Sequence, residues 1–177
     1  MIAMVEWFWY LVLLSPAYIC HSIAVICNDG IPIDGGKKLL GKRIFGDNKT
    51  VGGFIGGVAY GGIIGLLILA AVYLMFGVVI TDNVLLPWYL SFLGMSGDLL
   101  GSFIKRRLNL EPGSKSLFLD VYPFVFIMLI GLACYDFSWF VNAYPWYSIL
   151  IILVLTPVLH RLTNTLGFMA KLKKCPY

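Results

Sequence analysis

The sequence predicts an all-α protein built into a membrane, and three observations carry that prediction. Of its 177 residues, 60% are hydrophobic and only 12% charged, and the mean hydropathy of +0.89 lies well above that of an ordinary soluble domain. Apolar runs of about 20 residues, long enough to cross a bilayer core about 30 Å thick, recur five times. All thirteen Lys and Arg residues fall in alternate connections between those runs. A soluble globular domain is excluded by this composition. So is a disordered chain, which would be polar, and a disulfide scaffold, for which four cysteines are too few.

The expected spans follow in order. The first covers residues 7–27, interrupted only by Ser15, Pro16, His21 and Ser22. Glu6 precedes it and no Lys or Arg does, so it does not read as a cleaved signal. The second covers 51–80. Gly53, Gly57, Gly61 and Gly65 recur every four residues in it and form a smooth stripe for close helix packing, either within the chain or against a second copy as a homodimer. The third covers 86–104 and carries Gly94, Gly97, Gly101 and the acidic Asp98. The fourth and fifth cover 121–137 and 146–162. The whole chain reads as one catalytic domain, with polar loops at 28–50 and 105–120 and a tail at 163–177.

Positive charge sets the sides. Lys37, Lys38, Lys42, Arg43 and Lys49 lie in the first loop, Lys105, Arg106, Arg107 and Lys115 in the second, and Arg161, Lys171, Lys173 and Lys174 after the last span. The N-terminus and the short 81–85 and 136–145 connections carry only acids. The expected topology is multi-pass in the cell membrane, N-terminus outside and C-terminus cytoplasmic. The net charge of +4 then belongs to one face, where anionic lipid or an anionic substrate would meet it. Trp7, Trp9, Tyr10, Trp88, Tyr89, Trp139, Tyr144, Trp146 and Tyr147 fall near outer span ends and are expected to form an interfacial belt. The cysteines make no C-x-x-C pair, so zinc is not expected.

The two loops hold the candidate chemistry. In the first, Lys42, Arg43, Gly46, Asp47, Asn48, Lys49 and Thr50 mix glycine backbone, cationic donors and a hydroxyl, the mixture that cradles phosphates. It is not a Walker A loop, because Asp47 and Asn48 intervene before Lys49-Thr50 and no strand is expected ahead of it. Asp98 sits seven residues before Lys105, about 10 Å inside the basic boundary, and a carboxylate at that depth points to function. Ser102, Lys105, Arg106, Arg107, Ser114 and Lys115 follow, then Asp120 at the start of the fourth span. Two carboxylates beside many phosphate donors suit Mg²⁺ arriving with a nucleotide, which needs one or two protein oxygens and takes the rest from phosphate and water. Asp120 also reads as a helix N-cap, and His21 and His160 lie away from this spacing.

Two blocks resemble a known family. Pro32-x-Asp34-Gly35-Gly36-Lys37 with Gly41-Lys42-Arg43-Ile44-Phe45-Gly46-Asp47-Asn48-Lys49-Thr50-x-Gly52-Gly53, and Gly97-Asp98-Leu99-x-x-Ser102-Phe103-Ile104-Lys105-Arg106-Arg107-Leu108-Asn109-Leu110-x-Pro112-Gly113-Ser114 with Leu119-Asp120, resemble the archaeal CDP-archaeol synthases. More remotely, Ser102-x-x-Lys105-Arg106 and Asp120 resemble the CDP-diacylglycerol synthases. The resemblance implies transfer of a cytidylyl group from CTP to an isoprenoid glycerol-phosphate lipid at the cytoplasmic face, with no nucleic-acid partner. It further implies a divalent metal at Asp98 and Asp120, catalytic roles for these with Lys105 and Arg106, and nucleotide or phosphate contacts from the remaining residues named above. In the bacterial-type signature a second acid stands three residues after the Asp120 position. Here that residue is Pro123, and Val121 replaces a usual polar residue. The rival expectations are a small membrane transporter, which the odd number of spans without repeats disfavours, and an anionic-lipid-binding protein, which would need neither Asp98 nor the Gly-Asp-Asn-Lys-Thr run.

Overall fold

A computed structural model describes residues 2–28, 30–110 and 116–169. Helix α1 (Ile2–Leu13) and helix α2 (Ser15–Ile26) share the first apolar run, with Pro16 near the start of α2, where its missing N–H breaks no helical bond. Residues 8–26 together form one membrane-length segment with mean hydropathy 1.6. A polar loop follows and carries a feature that the all-α expectation omitted. Strands β1 (Lys38–Leu39) and β2 (Lys42–Arg43) form a short antiparallel hairpin.

Helix α3 (Val51–Phe76) is 26 residues long, about 39 Å at about 1.5 Å per residue. The Thr50 hydroxyl accepts from the Gly53 N–H at 3.1 Å and caps its start. The sequence suggested a run to residue 80, but Gly77 takes φ 68° and its N–H bonds Tyr73 O, a left-handed cap that ends the helix four residues sooner. The glycine stripe lies inside the chain. A methyl at Gly57 would meet Met95 and Cys20, at Gly61 Ser91 and Cys20, and at Gly65 Pro16 and Pro87. Of the two uses the sequence left open for the stripe, packing against α2 and the next helix is the one observed.

That next helix, α4 (Leu86–Arg107), contacts α2, α3 and the following helix α5 (Leu117–Tyr135). It extends three residues past the expected 104 and carries Asp98, Lys105, Arg106 and Arg107. By length and apolarity alone, three helical segments among the described residues can cross a membrane, or four when a bent pair counts as one, and α4 is not among them. Its charges are tolerated because neighbouring helices, rather than lipid, surround it. Gly94, Gly97 and Gly101 make that enclosure possible. Added methyls there would strike the Ala17 carbonyl, the Phe124 backbone and the Leu119 carbonyl respectively.

Helix α5 starts at Leu117 rather than 121, capped by Ser116, which accepts from Leu119 N–H at 3.4 Å. Pro123 offers no N–H to the Leu119 carbonyl, and that oxygen is turned toward Gly101. The 136–145 connection, expected as a loop, contains helix α6 (Phe137–Ala143), because the Asp136 side chain accepts from Trp139 N–H at 2.9 Å and starts a new helix. Helix α7 (Trp146–Met169) then turns away by 74°. At this end the aromatics are not all interfacial. Tyr144 is 2% exposed, donates to Tyr10 O at 2.8 Å, and packs among Tyr10, Trp139 and Phe140 as part of the core.

Candidate active site at the ends of α3 and α4

The loop before α3 is organised by one buried carboxylate that the sequence reading left without a role. Asp34 accepts from Gly36 N–H at 3.1 Å, from Phe45 and Gly46 N–H at 3.0 Å each, and from the Arg43 guanidinium at 2.6 and 3.3 Å. Its side chain is fully buried. Burial alone would raise its pKa, but the Arg43 charge and three backbone N–H donors outweigh that and hold it well below the usual carboxylate range. Arg43 also reaches Asp47 at 2.5 Å, so both of its faces are engaged. The signal in the sequence was a lone acid before Gly35-Gly36, the composition of a side-chain-closed turn.

A second set of bonds ties this loop to the end of α4. The Arg107 guanidinium donates to the carbonyls of Leu39, Lys42 (3.3 Å) and Arg43 (2.6 Å) and lies 5.1 Å from the Phe103 ring centroid. Lys42 returns a bond to Arg107 O at 3.2 Å. The base of the loop is zipped by Ile33 N–H to Lys49 O at 2.8 Å, Val51 N–H to Ile31 O at 3.0 Å and a Pro32–Thr50 bridge. Thr50 additionally donates to Asn28 Oδ1 at 2.9 Å. Of the expected phosphate-binding set, Lys42, Arg43, Gly46, Thr50 and Arg107 therefore build the loop in this structure, while Asp47 and Asn48 are exposed at its rim.

This scaffold delivers Lys49 to α4, where its ammonium meets Asp98 Oδ2 at 2.5 Å, each side chain 24% exposed. On α4, Asp98, Ser102 and Lys105 stand at i, i+4 and i+7, one helical face. Lys105 continues to α5 and pairs with Asp120, which also accepts from Ser116 N–H at 3.1 Å. The structure thus arranges Lys49, Asp98, Ser102, Lys105 and Asp120 as two lysine–carboxylate pairs along one face, with Arg106 buried beside them. Ser114 and Lys115 lie outside the described residues. His21 of α2 and His160 of α7, which sequence spacing set aside, both come within electrostatic reach of Asp98. Only the fold reveals this, because the two are 139 positions apart in the chain.

Asp98 and Asp120 offer hard oxygen ligands, and among the described residues no cluster of three or more His, Cys, Asp or Glu side chains forms a closed cage. Such a donor set fits a hard cation that brings most of its own ligands. Each carboxylate is neutralised by a lysine, so a cation bound there must share or displace that ammonium.

Comparison with known proteins gives a consistent result. A family model described as CarS-like CDP-archaeol synthase matches residues 1–177. CDP-archaeol synthase of Pyrococcus furiosus is 41% identical, covering 97% of this chain and 97% of its own. The Picrophilus torridus protein of that name is 37% identical, covering 93% and 94%. A solved structure described as an intramembrane enzyme for archaeal membrane lipids biosynthesis is 26% identical with a TM-score of 0.60, covering 84% of this chain and 92% of that one. With a match spanning its whole length and relatives that cover nearly all of it, the chain belongs to the CDP-archaeol synthase family of cytidylyltransferase enzymes.

Proposed function

We propose that the face carrying Lys49, Asp98, Ser102, Lys105 and Asp120 transfers a cytidylyl group from CTP to 2,3-bis-O-geranylgeranylglycerol 1-phosphate, in the presence of Mg²⁺. The observation that carries this reading is the pair of lysine–carboxylate contacts along one face of α4, at the boundary between apolar helix and basic loop. A lipid phosphate reaches that boundary from the membrane plane and CTP from the aqueous side, which on positive-charge placement is the cytoplasm.

In the reaction, a lipid phosphate oxygen attacks the α-phosphorus of CTP. The bond from that phosphorus to the α–β bridging oxygen breaks and pyrophosphate leaves. A phosphate monoester is already largely dianionic near neutral pH, so the attacking group needs no protein base. The obstacle is repulsion between two anions. Lys49 and Lys105, exchanging their carboxylate partners for phosphate oxygens, would offset it and hold the reactants in line, with Arg106 adding charge beside them. Asp98 and Asp120 would hold the divalent cation, which supplies charge neutralisation at the nucleotide phosphates when bound. Asp34, Arg43 and Arg107 act earlier in the chain of causes: they set the loop so that Lys49 arrives at Asp98.

The test is pyrophosphate release by detergent-purified protein given CTP, Mg²⁺ and the geranylgeranylated glycerol phosphate. Release that requires all three, and that ATP does not replace, is the expected result. Equal release without the lipid would instead indicate a CTP hydrolase, and none from folded protein would reject the reaction.

A further inference from the structure

The β1–β2 hairpin contains a residue that neither the scaffold nor the proposed chemistry uses. Its register pairs Leu39 with Lys42, leaving Leu40 and Gly41 as a two-residue turn with φ 52° and 78°. Positive φ at both positions belongs to a tight hairpin turn that selects Asn, Asp or Gly, because other side chains are crowded in the left-handed region. Leu40 has no such tolerance, and it is 84% exposed. A strained backbone bearing an exposed aliphatic group is maintained where that group has work to do.

Its surroundings indicate what the work is. Leu39 is 46% exposed and Leu108 is 60% exposed, and Arg107, the neighbour of Leu108, holds the Leu39 carbonyl. Lys37 and Lys38 stand exposed beside this apolar tip. The zipped loop base begins at the first residues of α3, where the apolar span starts, and Arg107 ties the hairpin to the end of α4, so the hairpin is held at the polar end of both helices. Aliphatic groups flanked by ammonium groups at that level match an interfacial membrane contact. The apolar part enters the zone between headgroups and chains, while the lysines meet anionic headgroups.

We propose that the Leu39-Leu40-Gly41 tip rests in the interfacial zone of the bilayer that houses the helices, with Lys37 and Lys38 on anionic lipid headgroups, so that the loop carrying Lys49 is anchored to the membrane surface as well as to α4. The proposal concerns the loop's position and holds whichever lipid the enzyme accepts.

The experiment places an environment-sensitive fluorophore on Leu40→Cys, with the unsubstituted chain labelled in parallel to measure background from its own cysteines. Both are reconstituted into phosphatidylcholine vesicles with and without phosphatidylglycerol. We expect blue-shifted emission, quenching by lipids brominated high on their chains, and several-fold protection from aqueous iodide, with the protection weaker when phosphatidylglycerol is omitted. Free iodide quenching without bromolipid quenching overturns the proposal. Protection that appears only on adding CTP or lipid phosphate overturns it in favour of a substrate lid, and protection that grows with protein-to-lipid ratio overturns it in favour of a second copy. Leu40→Asn gives an independent check, since Asn suits the left-handed backbone. Its thermal unfolding in detergent should match or exceed the parent's, while amide exchange across residues 36–44 in vesicles should rise several-fold. Unchanged exchange counts against the anchor.

Discussion

Two groups of ion pairs sit at the same end of the helices and differ in how completely each charge is satisfied. Asp34 is fully buried and receives five donor contacts from four residues, with Arg43 bound on its other side by Asp47. Asp98 and Asp120 are partly open, at 24% and 34% side-chain exposure, and each is paired with a lysine, Lys49 and Lys105 respectively. The first arrangement cannot accept a ligand without dismantling the loop. The second can, because a partly open carboxylate retains lone pairs for a further ligand. Saturated electrostatics build the platform, and unsaturated electrostatics remain available for chemistry.

Substitutions that separate the two groups follow, from the largest effect to the smallest. Asp98→Asn should lower kcat by about 10³-fold or more, with thermal unfolding nearly unchanged; appreciable Mg²⁺-dependent turnover in that variant breaks the division. Asp34→Asn should do the reverse. It leaves Arg43 and the loop N–H groups short of an anion and should destabilise the loop by about 2–3 kcal/mol. The expected readout is faster amide exchange across residues 33–47 and a higher KM for CTP, with kcat less affected; a purely kcat defect would move Asp34 into the chemistry.

Gly97→Ala addresses the spacing on which the second group depends. Its methyl would meet the Phe124 backbone and push α5 from α4, at a cost of about 1–3 kcal/mol. Both the unfolding temperature and activity should fall together. Activity lost at unchanged stability would mean that α4–α5 contact is not what sets the site.

The smallest effect is a pH dependence. The folded-state pKa of Asp34 lies below its unfolded value, so its stabilisation is complete above the unfolded pKa and disappears as pH falls through the folded one. Exchange protection of residues 33–47, corrected for intrinsic rates, should therefore stay flat from about pH 8 to about pH 5 and decline only in stronger acid. A decline already at neutral pH would show that Asp34 does not hold the loop.

Much of this was legible in the chain itself. The apolar runs located α2, α3 and α5, because a bilayer-length helix needs a run that local hydropathy records. The basic blocks and the depth of Asp98 pointed to the end of the helices where the structure brings Lys49, Asp98, Lys105 and Asp120 into ion pairs. The ends were less legible: α3 stops at Gly77 and α5 starts at Leu117 through caps that hydropathy does not register. The hairpin and α6 were missed for the same reason, since a two-residue strand and a seven-residue helix carry too little pattern to stand out.

What the sequence determined by itself was the membrane class, the apolar runs that become α2, α3 and α5, the family and the residues from which a site could be made, because composition, run length and motif are properties of neighbouring positions. What the tertiary structure decided was which of those residues are structural and which are open. Lys42, Arg43 and Arg107 look like Lys49 and Lys105 in a string of letters. They differ because Asp34 holds Arg43, the hairpin carbonyls hold Arg107 and the Arg107 carbonyl in turn holds Lys42, whereas Lys49 and Lys105 meet Asp98 and Asp120, brought from elsewhere in the chain. Partners separated by 49, 64 or 65 positions are chosen by packing, and no local pattern encodes them.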